Sequence, residues 1–78
     1  MSNLEKYQNV FVSCFDLESP NFGQLVYQSI SAWDSLGHMS LITELETAFN
    51  IMMDMDDVID FSSYEKGKEI LKKYDIEV

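Results

Sequence analysis

The stretch "WDSLGHMSLITELETAFN", Trp33 to Asn50, decides how this sequence folds. Its apolar residues Leu36, Met39, Ile42, Leu45 and Phe49 return at steps of three and four, and Leu41 and Ala48 widen the stripe. That spacing matches the 3.6-residue turn of an α-helix with one face turned inward. His38, Ser40, Thr43, Glu44, Glu46 and Thr47 fall mostly elsewhere on the helix. Asp34 stands just before the periodic run, where an N-cap belongs, so the helix is predicted over Ser35 to Asn50. Ser35 is thereby set at the helix mouth, where backbone N–H groups lack intrahelical partners and the dipole end is positive.

The same reasoning extends in both directions. Leu4, Tyr7, Val10, Phe11, Cys14 and Phe15 form one stripe, so a helix is predicted from Ser2 or Asn3 to Phe15, with Ser2 and Glu5 at capping-box spacing. In "DLESPNFGQLVYQSISAW", residues 16 to 33, Pro20 and Gly23 oppose a continuous helix. Leu17, Phe22, Leu25, Val26, Tyr27, Ile30 and Trp33 give this segment side chains to pack, so it is predicted as an ordered loop with one short helical turn, lying across the bundle. "DMDDVIDF", Asp54 to Phe61, reads as a short helix capped by Asp54, with Asp56 and Asp57 in its first turn and Val58 and Phe61 inward. "SSYEKGKEILKKY" gives a last helix, with Ser62 and Glu65 as its capping box and Tyr64, Gly67, Ile70 or Leu71, and Tyr74 at helical steps. Gly67 lowers helix stability by about 1 kcal/mol relative to Ala, which points to close approach of a neighbouring element. No segment alternates with a period of two. The expectation is an all-α, small four-helix bundle, three main helices and one short one, with a long first loop, in a single domain over residues 1–78.

Charge narrows the partners. The formal net charge is −9, every basic residue is a lysine, and all but Lys6 lie from Lys66 onward. Asp34, Glu44, Glu46, Asp54, Asp56, Asp57 and Asp60 share the middle of the chain with no lysine. Nucleic acid and anionic membrane surfaces, which need a basic footprint, are disfavoured; a partner with a basic patch is attracted. Cys14 is the only cysteine, so no internal disulfide forms. No basic-then-apolar leader opens the chain and no apolar run reaches bilayer length, so a soluble, cytoplasmic protein is expected; a monomer is the expected state.

Ser35 invites a chemical reading. His38 is three residues on and is the only histidine, but a hydrolytic serine also needs an orienting third group and a cleft that excludes water. No catalytic residue is assigned. Asp54, Asp56, Asp57 and Asp60 lack the glycine and ligand alternation of a calcium loop, so no metal is assigned either. Modification by another enzyme needs no internal base, and the helix mouth favours a phosphate ester on Ser35.

"DSLGHMSLITELETAFNI", Asp34 to Ile51, resembles the attachment site and second helix of acyl carrier proteins. The Asp34-Ser35-Leu36 triplet follows a long loop, opens an amphipathic helix and continues into Leu45, Glu46 and Phe49; a short acidic helix and a final helix follow. The likeness covers the architecture of the whole chain and residues 33–71 in detail. It implies a carrier with a 4′-phosphopantetheine arm, moved from coenzyme A to Ser35 by a phosphopantetheinyl transferase and holding acyl groups as thioesters. Asp34 and Leu36 would flank the arm. Met39, Glu46, Asp56 and Asp57 would meet the transferase and the acyl-loading and acyl-transferring enzymes. Leu45, Met53, Val58 and Phe61 would line an acyl-chain pocket. Peptidyl carriers, with Gly-Gly-His-Ser-Leu, offer Ser40 in "LGHMSL" as a rival site, but Met39 interrupts that match and Ser40 lies more than a turn inside the helix. Gly37, His38, Ser40 and Thr43 stand where fatty-acid carriers usually place acids, which suits a dedicated biosynthetic pathway. A housekeeping fatty-acid carrier and an acidic helical adaptor without a prosthetic group are the alternatives.

Overall fold

The computed structural model describes residues 2–17 and 22–78, and four helices follow one another along them. They are α1 (Asn3–Phe15), α2 (Ser35–Phe49), α3 (Met55–Asp60) and α4 (Tyr64–Lys72). Among the described residues there is no strand. Pro20, the expected helix breaker, lies outside them. The radius of gyration is 11.3 Å, against about 11.5 Å for a compact chain of this length. The small all-α bundle is therefore the observed architecture.

The helix ends follow from local chemistry. Ser2 Oγ accepts the Glu5 N–H at 3.1 Å and starts α1. Asp34 Oδ1 accepts the Gly37 N–H at 2.9 Å and starts α2. Asp16 and Asn50 close α1 and α2 in the left-handed region, with φ of 52° and 54°; short polar side chains tolerate that region better than most. Asp54 precedes α3 as its N-cap but makes no side-chain capping bond.

Ser62 does not cap α4; Ser63 does, its Oγ accepting the Lys66 N–H at 2.9 Å. The cause is long-range. Tyr27 N–H donates to the Ser62 carbonyl at 2.8 Å and Tyr64 N–H to the Leu25 carbonyl at 2.9 Å. This short antiparallel pairing holds Ser62 and Ser63 extended and moves the helix start by one residue. It also ties the first loop, with its 3₁₀ turn at Phe22–Gln24, to the α3–α4 junction.

The core is aromatic. Phe11 meets the rings of Tyr7, Phe15, Trp33, Phe61 and Tyr64, with centroid separations from 5.0 Å (Tyr7) to 6.4 Å (Phe61). Tyr7 is fully buried, and its hydroxyl donates to the Tyr64 carbonyl at 2.6 Å. Burial, with Tyr64 and Glu65 nearby, drives its pKa far above the ordinary phenol value. On α2 the buried residues are Leu41, Ile42 and Leu45. Leu36 and Met39, expected inside, are 81 % and 53 % exposed. The inward stripe runs back from Ile42 through half-buried His38 instead.

Gly67 is buried where α4 crosses Tyr7 and Phe61, and a Cβ there would collide with the Tyr7 hydroxyl and the Phe61 ring. Gly67→Ala would gain about 1 kcal/mol of helix propensity but overpack the aromatic core by about 1–3 kcal/mol. The packing loss is the larger, so urea unfolding should show net destabilisation, and a stabilised variant would contradict this close approach.

Candidate functional site

Asp34 spends its carboxylate on the Gly37 amide, and its carbonyl accepts the His38 N–H at 2.7 Å. The Ser35 and Leu36 amides remain at the open end of α2. Ser35 is exposed, and its hydroxyl lies 3.3 Å from the Tyr27 hydroxyl. Gly37 allows this geometry, since a Cβ there would strike the Ala32 carbonyl of the incoming loop. Ser40 is also exposed, but more than a turn inside the helix.

A surface cleft of about 360 Å³ opens beside Ser35, between α2 and α3. Tyr27, His38, Met39, Met55, Val58, Ile59, Phe61 and Ser62 line it with Ser35. Tyr27, Met55, Ile59 and Ser62 are not among the predicted site residues. Nothing in helical spacing marks Tyr27, which reaches the site from a loop. Of the predicted pocket residues, Val58 and Phe61 line this cleft. Leu45 and Met53 do not; both are buried in the core.

The floor of the cleft is hydrogen-bonded. Trp33 is fully buried, and its Nε1–H donates to His38 Nδ1 at 3.0 Å. An indole only donates, so Nδ1 must accept and the imidazole proton sits on Nε2. That N–H then donates to the Val58 carbonyl at 2.8 Å. His38 therefore spans α2 and α3 as a half-buried neutral ring, rather than facing solvent as a helical histidine otherwise would. Both ring nitrogens bond away from Ser35, so His38 and Ser35 are not joined by the hydrogen bond of a nucleophile and its base.

The acids differ in exposure and in what they hold. Glu46, a predicted partner contact, accepts the Met53 N–H at 2.9 Å and braces the turn after α2. Asp57, another, is only 5 % exposed. Lys73 Nζ donates to its Oδ1 at 2.7 Å and the Tyr74 hydroxyl to its Oδ2 at 2.6 Å. Those hydrogen bonds hold the Asp57 carboxyl below the usual range, outweighing the effect of burial. Asp57 is thus a structural ion-pair partner and not a free surface charge. Asp34, Asp54, Asp56 and Asp60 are exposed, beside exposed Leu36, Met39, Met55 and Ile59. Cys14 is half-buried; burial, then Glu44, raises its thiol pKa and keeps it protonated. Among the described residues, no helix is long and apolar enough to cross a membrane, and no group of His, Cys, Asp or Glu side chains is arranged to hold a metal ion.

Comparison with known proteins finds no matching family model, curated protein or solved structure.

Two outcomes follow from this geometry. His38→Phe should leave the Trp33 indole N–H and the Val58 carbonyl without partners and lower unfolding stability by about 1–3 kcal/mol. Fluorescence of the single tryptophan in urea reads it, and a loss under about 0.5 kcal/mol would contradict the bridge. For Asp57 the folded pKa lies below the unfolded one. Its contribution is therefore complete above about pH 4 and fades as pH falls through the folded value. Lys73 is shifted upward, first by its hydrogen bond to Asp57, so its part is complete below about pH 10 and fades above. Asp57→Asn should be less stable than the native protein at pH 7, and the gap should shrink at pH 3; a gap equal at both would refute the assignment.

Proposed function

We propose that this chain is a carrier: Ser35 accepts a 4′-phosphopantetheine arm and delivers the bound acyl intermediates to partner enzymes in a dedicated biosynthetic pathway. The observation that carries the reading is the exposed Ser35 hydroxyl on the first residue of α2, capped by Asp34, open on one side to an apolar cleft. The resemblance of Asp34 to Ile51 to acyl carrier proteins supports it.

The residues present suit such an arm. Ser35 Oγ has open approach from solvent. The Tyr27 hydroxyl, 3.3 Å away, is a second hydrogen-bonding group at the point of attachment. In the attachment step Ser35 Oγ forms a bond to the phosphorus nearer the pantetheine of coenzyme A. The phosphoanhydride bond breaks, adenosine 3′,5′-bisphosphate leaves, and the serine proton passes to a base on the transferase. When bound, the arm supplies a terminal thiol that holds acyl groups as thioesters. Leu36 and Met39 offer apolar contact to partner enzymes, and Asp34, Asp54, Asp56 and Asp60 steer surfaces carrying lysine or arginine.

An acidic adaptor without a prosthetic group is the second reading, favoured by the same exposed Leu36, Met39, Met55 and Ile59. Intact mass separates the two. Incubation with coenzyme A and a broad-specificity transferase should add one phosphopantetheine mass. Ser35→Ala should abolish the gain and Ser40→Ala should keep it. An unchanged native mass would leave the adaptor.

A further inference from the structure

We infer that the helical core is closed to the carried acyl chain, so that long alkyl chains on the arm are not drawn between the helices. The inference rests on the carrier reading and concerns what that carrier can shelter.

A chain starting at Ser35 enters the cleft among Tyr27, Met39, Met55 and Ile59. Val58 and Phe61 already line the cleft; to reach Leu45, a predicted position outside it, the chain must travel along α2, seven residues beyond His38. On a helix that is about 10 Å further along the same face. His38 stands across the route. Its Nε2–H bond to the Val58 carbonyl joins α2 to α3 at 2.8 Å, and its Nδ1 holds the Trp33 indole at 3.0 Å. Swinging the ring aside breaks both bonds and leaves a buried indole N–H with no acceptor, which is strongly unfavourable. Phe61, 1 % exposed, closes the floor and lies against Trp33 and Phe11, at 6.5 Å and 6.4 Å between ring centroids. A guest chain has to displace rings packed on several sides. The cleft itself holds about 360 Å³, near the lower end for small-molecule sites.

The test loads the native protein with acyl-phosphopantetheine from acetyl-, butanoyl-, octanoyl- and dodecanoyl-coenzyme A, using a broad-specificity transferase, and confirms each product by intact mass. A chain that enters the core should raise Tm by about 3–6 °C for each buried methylene. The expected result is a Tm that does not climb from butanoyl to dodecanoyl, with the single indole N–H resonance of Trp33 unmoved throughout. A Tm rising with chain length, or an octanoyl or dodecanoyl group that shifts the indole resonance, would overturn the inference while leaving the carrier reading intact. An unchanged mass with coenzyme A itself would overturn both.

Discussion

The bond from the Trp33 indole to His38 Nδ1 organises the site. Trp33 ends the long loop, and its ring is fixed among Phe11, Phe15 and Phe61. With that residue anchored, Asp34 follows in extended conformation as the cap of α2, and Ser35 can only be its first helical residue. The same bond sets the tautomer of His38, which sets the donor that reaches Val58 on α3. One buried donor thus fixes the loop end, the first turn of α2 and the position of α3. A domain of this size buries only roughly 60 % of its unfolded surface, so a single satisfied polar bridge has an unusually large share in defining its shape.

The acidity is not one undifferentiated field. Glu46 braces the α2–α3 connection, and Asp57 ties α3 to the end of α4 through Lys73 and Tyr74. Tyr74 also accepts the Asp54 N–H at 2.9 Å, the amide of the residue that caps α3. A helix of six residues is too short to be stable on its own, and this cluster, with the His38 bond, holds α3 in place. What is left exposed is the set around the mouth of α2 and the start of α3.

The helices could be read from the sequence because their apolar spacing reports burial directly: Tyr7, Phe11 and Phe15 on α1, and Tyr64, Gly67, Ile70 and Leu71 on α4 are inward as their periods require. Three features could not. His38 is polar, and a scan for apolar residues turns it outward, although it lies three and four residues before buried Leu41 and Ile42. Asp57 looks like one more surface acid because Lys73 and Tyr74 are sixteen and seventeen residues away. The start of α4 shifts from Ser62 to Ser63 because of pairing with Leu25 and Tyr27, which no local capping pattern contains. The Asp34 cap, by contrast, is entirely local, and with it the position of Ser35. Tyr27 depends on the path of the loop and leaves no trace in spacing.

The exposed apolar residues are the other half of this balance. Leu36, Met39, Met55 and Ile59 are mostly exposed, and contiguous exposed apolar surface is characteristic of sites that another molecule covers. A net charge of −9 opposes self-association through such a surface, since two copies would bring like charges together. A partner whose basic groups flank an apolar contact meets neither obstacle. Lysine and arginine would find Asp34, Asp56 and Asp60, while its apolar centre covers the methionines. Methionine suits that use, because its unbranched chain adapts to more than one partner shape. The side chains that adapt most readily are thus on the outside, beside the exposed acids.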